Sequence, residues 1–368
     1  MTYTTTDVPV WGGPLRVGRW APDADPVATV LAVHGVTASH RAWSSLADNA
    51  GDLDIVAPDL RGRGRSSDLP GPAGLRQHAD DLARVLDRLG LDKVVVAGHS
   101  MGGLVSVVLA DRHADRVERL VLVDGGLPLH PLPGMTPEQT MEATLGPATA
   151  RLRMTFPTRE AYQDFWAAHP AFKDGISELM ADRHADRVER LVLVDGGLPL
   201  HPLPGMTPEQ TMEATLGPAT TRLRMTFPTR EAYQDFWAAH PAFKDGISEL
   251  MADYFDYDLV DSADGFRSCV SAELVRDDVL SQLDPGTLTP ALERLRVPAV
   301  FLRAPRGLLD QPEPLYPAAE AQEWASRLPL LGVADIDDVN HYTIVFDEAP
   351  LLRIADLLRP STLPEENA

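Results

Sequence analysis

The sequence has a single cysteine, Cys269, so no disulfide can form within the chain. Such cysteine usage is typical of a reducing compartment, and we expect a cytoplasmic protein. No apolar run approaches the ~20 residues needed to cross a bilayer, which excludes a membrane-spanning helix. The first residues, MTYTTTDVPVW, also lack the basic and then apolar pattern of a secretory signal. These absences predict a globular protein of the cytoplasm.

Basic residues are scarce: 33 lysines and arginines stand against 54 aspartates and glutamates, and the net charge is −21 at pH 7. Such a surface repels phosphate groups, so neither a nucleic acid nor a membrane is expected as a partner. No cluster of cysteine, histidine and aspartate has the spacing of metal ligands, and no cofactor is implied. The expected partner is therefore a small-molecule substrate.

A segment of 71 residues occurs twice, head to tail. The copies span residues 110–180 and 181–251 and differ only at one position, Ala150 in the first and Thr221 in the second. A solenoid repeats a short unit many times with drifted sequence, so this pattern indicates a recent duplication or an assembly artefact. Without one copy the chain would have 297 residues, the length of one domain with an insertion.

Strand and helix patterns alternate on both sides of the repeat. Short, apolar and mostly β-branched runs predict buried strands at 26–34, 54–58, 93–97, 119–124, 297–303 and 331–336. Apolar residues at helical spacing predict helices at 75–89, 102–110 and 349–358. This alternation predicts an α/β fold with a mostly parallel central sheet and helices on both faces.

Residues 127–180 are rich in proline, show no clear strand pattern and contain helix-like stretches. They predict a helical cap inserted after the sixth strand of the sheet. The predicted division is a core of residues 1–126 and 254–368, a cap of 127–180, and a second helix end, strand and cap at 181–253. The strand of the first copy is expected in the sheet. The spare strand of the second needs a partner, which favours a homodimer with exchanged strands or caps.

The most informative segment for catalysis is KVVVAGHSMGG. It contains Gly98-x-Ser100-x-Gly102 directly after a predicted strand and before a predicted helix. This context is typical of a nucleophile elbow, in which the serine adopts strained backbone angles. Small residues two positions before and after the serine allow the strand and the helix to approach. The hydroxyl then projects above the sheet at the positive helix N-terminus. Ser100 is the candidate nucleophile.

Three further motifs occur in order around this elbow. HGVT occupies residues 34–37, DLRGRGRS occupies 59–66, and an Asn-His pair lies at 340–341. With these motifs the sequence resembles the α/β-hydrolase superfamily, most closely its serine esterase-like and C–C hydrolase-like members with a helical cap. The resemblance implies an α/β-hydrolase fold. A serine at the elbow separates the chain from the branches that use aspartate there, the haloalkane dehalogenases and epoxide hydrolases.

His341 is the expected general base among the eleven histidines. It follows a predicted strand and precedes the last helix, which places it at the carboxyl edge of the sheet. Six other histidines lie in the repeat, and His34 and His99 belong to motifs whose work is done by backbone groups. His78 falls within a predicted helix and is expected at the surface, while His40 is expected near the pocket.

Two aspartates compete for the role of orienting the histidine. The Ser, Asp, His order of this fold points to Asp310, in the loop after the predicted strand at 297–303. The alternative is Asp124, at the end of the predicted strand at 119–124, because some family members carry the acid there. We expect Asp310.

The resemblance also implies an oxyanion hole made by the backbone N–H groups of Val36 and Met101. The supporting residues come from the two motifs that carry these groups: His34, Gly35, Gly98, His99 and Gly102.

The favoured function is a carboxylesterase-like serine hydrolase that cleaves a carboxylic ester or lactone through an acyl-serine intermediate. A C–C bond hydrolase of a β-diketone or vinylogous diketone is the alternative, since it uses the same three residues with a polar cap pocket. A non-catalytic, ligand-binding member of the fold is the third possibility.

Overall fold

A computed structural model of the chain describes residues 1–128, 222–223, 225–284 and 286–360. Its strands in chain order are β1 (Thr2–Val10), β2 (Gly13–Ala21), β3 (Ala28–Val33), β4 (Leu53–Pro58), β5 (Val94–His99), β6 (Val117–Val123), β7 (Thr226–Phe227), β8 (Leu259–Ser262), β9 (Gly265–Ser268), β10 (Ala299–Arg303) and β11 (Leu331–Asp335). Its α-helices are α1 (Ser44–Asn49), α2 (Leu75–Leu89), α3 (Met101–Arg112), α4 (Arg230–Ala238), α5 (Glu249–Tyr257), α6 (Ala272–Leu283), α7 (Leu288–Glu293), α8 (Ala318–Arg327) and α9 (Glu348–Leu358).

Eight strands form one sheet in the order β1-β2-β4-β3-β5-β6-β10-β11. β1 pairs antiparallel with β2, and β2 pairs antiparallel with β4. The other neighbours are parallel. The mostly parallel sheet is confirmed, and α2 has the bounds that its apolar spacing predicts. The hairpin β1–β2 was not among the predicted elements.

Both faces of this sheet are covered, which explains why its strands are nearly all apolar. Successive side chains of a strand point to opposite faces. In β5, Val94 and Val96 belong to the core cluster that includes helices α2 and α3. Val95 and Ala97 belong to the cluster on the other face, with α1 and α9. A strand that is buried on both faces does not alternate between apolar and polar residues.

The first copy of the repeat supplies β6 to the sheet, as the sequence predicts. β6 lies between β5, which precedes Ser100, and β10. The predicted cap at 127–180 lies outside the described residues from position 129 onward, as does the second copy up to position 221. The division of the chain into core and two caps therefore stays a prediction.

The described residues 225–268, which include the end of the second copy and the stretch after it, are referred to below as the cap. β7, β9 and β8 form a small sheet in that order, and helices α4 and α5 accompany it. The sequence predicts a helical return to the core over 254–296. Helices α6 and α7 lie in this stretch, but the hairpin β8–β9, which the sequence did not predict, precedes them. Helix α5 also runs through residues 253 and 254 without a break. Each strand of the hairpin has four residues, too few to show a periodic pattern.

Aromatic side chains form the interior of this cap. For Phe156, Tyr162, Phe165, Trp166 and Phe172 the sequence favours the core of a cap over the wall of a substrate site, and these residues lie outside the described ranges. Their duplicates in the second copy are Phe227, Tyr233, Phe236, Trp237 and Phe243, and these cluster with Phe255 and Met251. Tyr342, directly after His341, and Phe346, five positions after it, pack against the same cluster. The cap therefore rests on the loop that carries the candidate base.

No helix in the described ranges is both long enough and apolar enough to cross a bilayer.

Candidate active site

Ser100 is the single residue between β5, which ends at His99, and α3, which begins at Met101. Its φ of 53° and ψ of −124° lie in a region that residues other than glycine rarely adopt. The Ser100 N–H donates to the carbonyl oxygen of Val123 in β6 at 3.0 Å, which ties the turn to the neighbouring strand. The sequence predicts this strained turn, and the structure has it.

The glycines of the elbow are required by close contacts between backbone segments. A Cβ on Gly98 would lie 2.4 Å from the carbonyl oxygen of Gly102, and a Cβ on Gly102 would lie 2.1 Å from that of Val33. Both distances are far below van der Waals contact. Helix α3 therefore approaches β3 and β5 only because these positions have no side chain.

His341 links Ser100 to Asp124. Its Nε2 lies 3.0 Å from Ser100 Oγ, and its Nδ1 lies 2.6 Å from Asp124 Oδ2. The side chains of His341 and Asp124 are 4% and 0% exposed. An ionised carboxylate only accepts hydrogen bonds, so Nδ1 carries the proton and Nε2 is free to accept one from the serine.

Asp124 is itself held in place. It directly follows β6, has a φ of 41°, and its Oδ1 accepts a hydrogen bond from the backbone N–H of Ala304 at 3.1 Å. Ala304 follows β10, the next strand of the sheet. The carboxylate is thus fixed between the ends of two neighbouring strands, with its other oxygen directed at His341.

The expectation that Asp310 contacts His341 is wrong. The Asp310 carboxylate forms an ion pair with Arg306 at 2.6 Å and another with Lys244 of the cap, and it accepts a hydrogen bond from Asn340 Nδ2 at 3.2 Å. β6 and β10 are adjacent, so acids after either strand reach the same edge of the sheet. Chain order alone could not choose between them, and three local partners hold Asp310 elsewhere.

The loop that contains Val36 packs directly beside the elbow. A Cβ on Gly35 would lie 3.3 Å from the Ser100 Cβ, so glycine permits this approach. Met101 is the first residue of α3, where backbone N–H groups have no partner within the helix. Both expected oxyanion donors thus belong to segments next to Ser100.

The two motif histidines are buried and neutral. Burial lowers the pKa of His34 and that of His99 to about 3. His34 Nε2 accepts a hydrogen bond from the Leu60 N–H at 2.9 Å, so its Nδ1 carries the proton and donates to the Gly35 carbonyl at 2.8 Å. His99 Nε2 donates to the carbonyl oxygen of His341 at 2.9 Å. Each histidine therefore holds a loop of the site.

Asn340 has a role that the sequence motif did not indicate. Its side-chain oxygen accepts from the backbone N–H groups of Tyr342 and Thr343 at 2.9 and 3.0 Å, which closes the turn around His341. Its Nδ2 donates to the carbonyl oxygen of Ala242 in the cap at 2.9 Å. The signal available in the sequence was only its position next to the histidine.

Two further histidine predictions need correction. His78 is buried rather than on the surface, because Asp278 Oδ1 lies 2.8 Å from its Nε2. His40 is also fully buried, with Nδ1 2.7 Å from Asp59 Oδ1 and Nε2 bonded to the Tyr3 hydroxyl at 2.8 Å. Both of its ring nitrogens are occupied, so His40 belongs to the packing behind the site.

Within the described residues, no group of three or more histidine, cysteine, aspartate or glutamate side chains is arranged to hold a metal ion.

Comparisons with known proteins agree with this architecture. The family described as alpha/beta hydrolase fold matches residues 28–173. The E-2-(acetamidomethylene)succinate hydrolase structure aligns over 97% of this chain and 98% of its own, with a TM-score of 0.61 and 17% identity. A thermophilic esterase from Thermogutta terrifontis aligns over 98% and 97%, with a TM-score of 0.54 and 20% identity. The chain has the α/β-hydrolase fold, and its residues 28–173 match the family of that description.

Curated relatives match only part of this chain. Lipase LipV of Mycobacterium tuberculosis is 39% identical over 143 residues, which are 37% of this chain and 52% of the lipase. The 3-hydroxybutyrate-oligomer hydrolase of Cupriavidus necator is 37% identical over 116 residues, 31% of this chain and 39% of that protein. The chain thus spans about half of the length of these relatives, or less.

Proposed function

We propose that the protein is a serine hydrolase that cleaves a carboxylic ester or lactone through an acyl-serine intermediate. The observation that carries this proposal is the chain of contacts from Ser100 through His341 to Asp124, at 3.0 and 2.6 Å. A serine hydroxyl is a weak nucleophile until a neighbouring base removes its proton. His341 stands at hydrogen-bond distance to do so, and Asp124 orients it and stabilises its protonated form.

The reaction has two halves. His341 Nε2 accepts the Ser100 proton while Oγ attacks the acyl carbon, and the tetrahedral intermediate collapses as His341 returns the proton to the departing alcohol oxygen. Water then attacks the acyl-serine, with His341 accepting its proton, and the carboxylic acid leaves as Ser100 is regenerated. In both halves the N–H groups of Val36 and Met101 stabilise the developing oxyanion, typically by ~3–4 kcal/mol per donor.

An apolar acyl group fits the described surroundings of the oxyanion loop. Leu223, Val270 and Val275 form a buried apolar cluster, and Val36 packs against it. The matched relative named a lipase supports the same choice, although its similarity covers only part of each chain.

A panel of p-nitrophenyl esters of rising acyl length tests the proposal. Ser100→Ala should lower turnover by at least about 10³-fold, because the nucleophile is lost. Ser326→Ala is the matched control: this serine is exposed on α8, and its replacement should leave turnover unchanged. Ester turnover that persists in Ser100→Ala, or no turnover of any ester by the wild type, would refute the proposal.

A further inference from the structure

A fully buried ion pair, with a histidine beside it, lies behind the oxyanion loop. Arg63 lies in the turn after β4, Asp278 in α6 and His78 in α2. Arg63 Nη1 pairs with Asp278 Oδ2 at 2.5 Å, and Asp278 Oδ1 lies 2.8 Å from His78 Nε2. Burying an ion pair incurs a desolvation penalty that the mutual attraction often only offsets, so stability alone is a weak explanation for this group.

The guanidinium of Arg63 contacts the oxyanion loop directly. Its Nε donates to the carbonyl oxygen of Val36 at 2.7 Å, and its Nη1 donates to that of Arg61 at 2.7 Å. A guanidinium is planar and donates in fixed directions, so its position determines where an accepting carbonyl points. Asp278 fixes the guanidinium from the side of α6.

The peptide on the other side of Val36 is also held. The Gly35 carbonyl accepts from His34 Nδ1 at 2.8 Å and from the Ala38 N–H at 3.2 Å. Peptide units are planar and trans, so each fixed carbonyl sets the plane of its unit. The Val36 N–H lies in the same unit as the Gly35 carbonyl, so these contacts set its direction. Arg63 sets the plane of the next unit, and the two planes together determine the backbone dihedrals of Val36.

We propose that Arg63 is a positioning residue for the oxyanion hole: by fixing the Val36 carbonyl it holds the backbone dihedrals of Val36, which keeps the preceding peptide unit and its Val36 N–H in place, with Asp278 as its anchor. The proposal rests on the proposed function for its catalytic consequence. It also assigns a function to the turn at 59–66, which supplies Arg63 to the oxyanion loop. Helix α6, which carries Asp278, directly follows the hairpin β8–β9 in the chain.

Arg63→Lys tests the proposal, with Arg65→Lys as the matched control in the same turn. Lysine keeps the positive charge near Asp278 but lacks the planar fork that donates to Val36 and Arg61. Arg65 has an exposed side chain. In Arg63→Lys we expect kcat to fall by roughly 10–100-fold with KM changed less than about 3-fold, because an oxyanion contact acts mainly in the transition state. The pH profile of kcat/KM should keep its shape, since His341 and Asp124 are untouched.

Two binding and exchange measurements accompany the kinetics. Affinity for a boronic acid, whose tetrahedral adduct with Ser100 mimics the intermediate, should fall in proportion to kcat/KM. Amide hydrogen exchange of the peptide containing residues 34–38 should accelerate in Arg63→Lys and not in Arg65→Lys. If Arg63→Lys fails to fold, Asp278→Asn replaces it, with the same accelerated exchange and a kcat loss of about 3–10-fold expected from a looser Arg63.

The outcomes separate this proposal from the proposed function. Unchanged exchange at residues 34–38, or a kcat within about 2-fold of wild type, overturns the role of Arg63 whatever the substrate is. Persistent turnover in Ser100→Ala overturns the proposed function, and the catalytic role of Arg63 with it. Faster exchange together with selective loss of kcat and of boronic acid affinity supports the proposal.

Discussion

The carboxylate of Asp124 lies 2.6 Å from His341 Nδ1, although 217 positions separate the two residues in the chain. The contact forms because β6, which ends just before Asp124, lies between the strand that precedes Ser100 and β10. β11, whose following loop carries His341, pairs with β10. All these strands are parallel, so their carboxyl ends meet at one edge of the sheet. The three groups of the site therefore come from separate loops on a rigid support.

The roles of the two competing aspartates are tested by Asp124→Asn and Asp310→Asn. In Asp124→Asn, kcat should fall by roughly 10³–10⁴-fold, because the amide no longer holds the tautomer of His341 that accepts the serine proton. Asp310→Asn should change kcat by less than about 10-fold, because this residue touches Asn340 and the cap and not the histidine. Initial rates on one p-nitrophenyl ester measure both, with circular dichroism to check folding. A larger loss in Asp310→Asn would contradict the assignment.

The tight elbow predicts a contrast between two glycine substitutions. Gly102→Ala should lower the free energy of unfolding by about 1–3 kcal/mol, because the added Cβ would meet the Val33 carbonyl. Gly51→Ala is the control, since nothing lies within 4 Å of a Cβ at that position, and it should stay within about 0.5 kcal/mol. Urea denaturation followed by tryptophan fluorescence gives both values. Equal midpoints for the two variants would count against the close approach of α3 and β3.

Buried neutral histidines make stability depend on pH. The folded-state pKa of His34 and of His99 is about 3, against an ordinary value of 6.5. Between these values the unfolded chain binds protons that the folded chain excludes, so stability falls as pH falls from about 6.5 toward 3. Each histidine contributes a slope of up to about 1.4 kcal/mol per pH unit.

Urea denaturation of the wild type and of His99→Gln between about pH 4.5 and pH 7.5 measures this slope. Glutamine keeps an N–H donor for the carbonyl of His341 but does not titrate. Below pH 6.5, unfolding of the variant should therefore take up about one proton fewer than unfolding of the wild type. The same slope in both proteins would show that His99 does not contribute.

The duplication predicts that one copy is enough. The described structure takes β6 from the first copy and β7 with α4 from the second, and the copies differ only at Ala150 and Thr221. A chain without residues 181–251 still contains the sequence of each of these elements. It should fold, with a melting temperature within a few degrees of the full chain, and retain Ser100-dependent turnover.

The control for this deletion is removal of residues 110–180 instead. The two shortened chains are identical except for alanine or threonine at one position, so they should behave alike in thermal unfolding and in ester hydrolysis. Loss of folding and activity in both would show that the second copy is indispensable.

Much of the fold, and the positions of Ser100 and His341, can be predicted from the sequence by itself. The strands around Ser100 are apolar runs, α2 has regular apolar spacing, and the elbow is a local pattern of small residues. These features depend on residues that are close together in the chain, so a short stretch of sequence is enough to predict them. The same is true of the loop that carries Val36.

Other features depended on partners far away in the chain. His78 looked like a surface residue of a helix, but Asp278, 200 positions later, buries and bonds it. The hairpin β8–β9 needs the short strand β7 beside it, and neither shows a pattern of its own. Local propensity has no information about such contacts.

The choice of the acid that contacts His341 shows most clearly what the sequence determines and what only the tertiary structure decides. The sequence determined that an aspartate at the carboxyl edge of the sheet would serve His341, and it offered two. Only the tertiary structure decided between them, because Lys244 from the cap, Arg306 and Asn340 together hold the carboxylate of Asp310. Asp124 directly follows its strand, forms no ion pair with a lysine or arginine among the described residues, and faces His341. Electrostatic competition among groups brought together by folding, rather than order along the chain, selects the partner of the histidine.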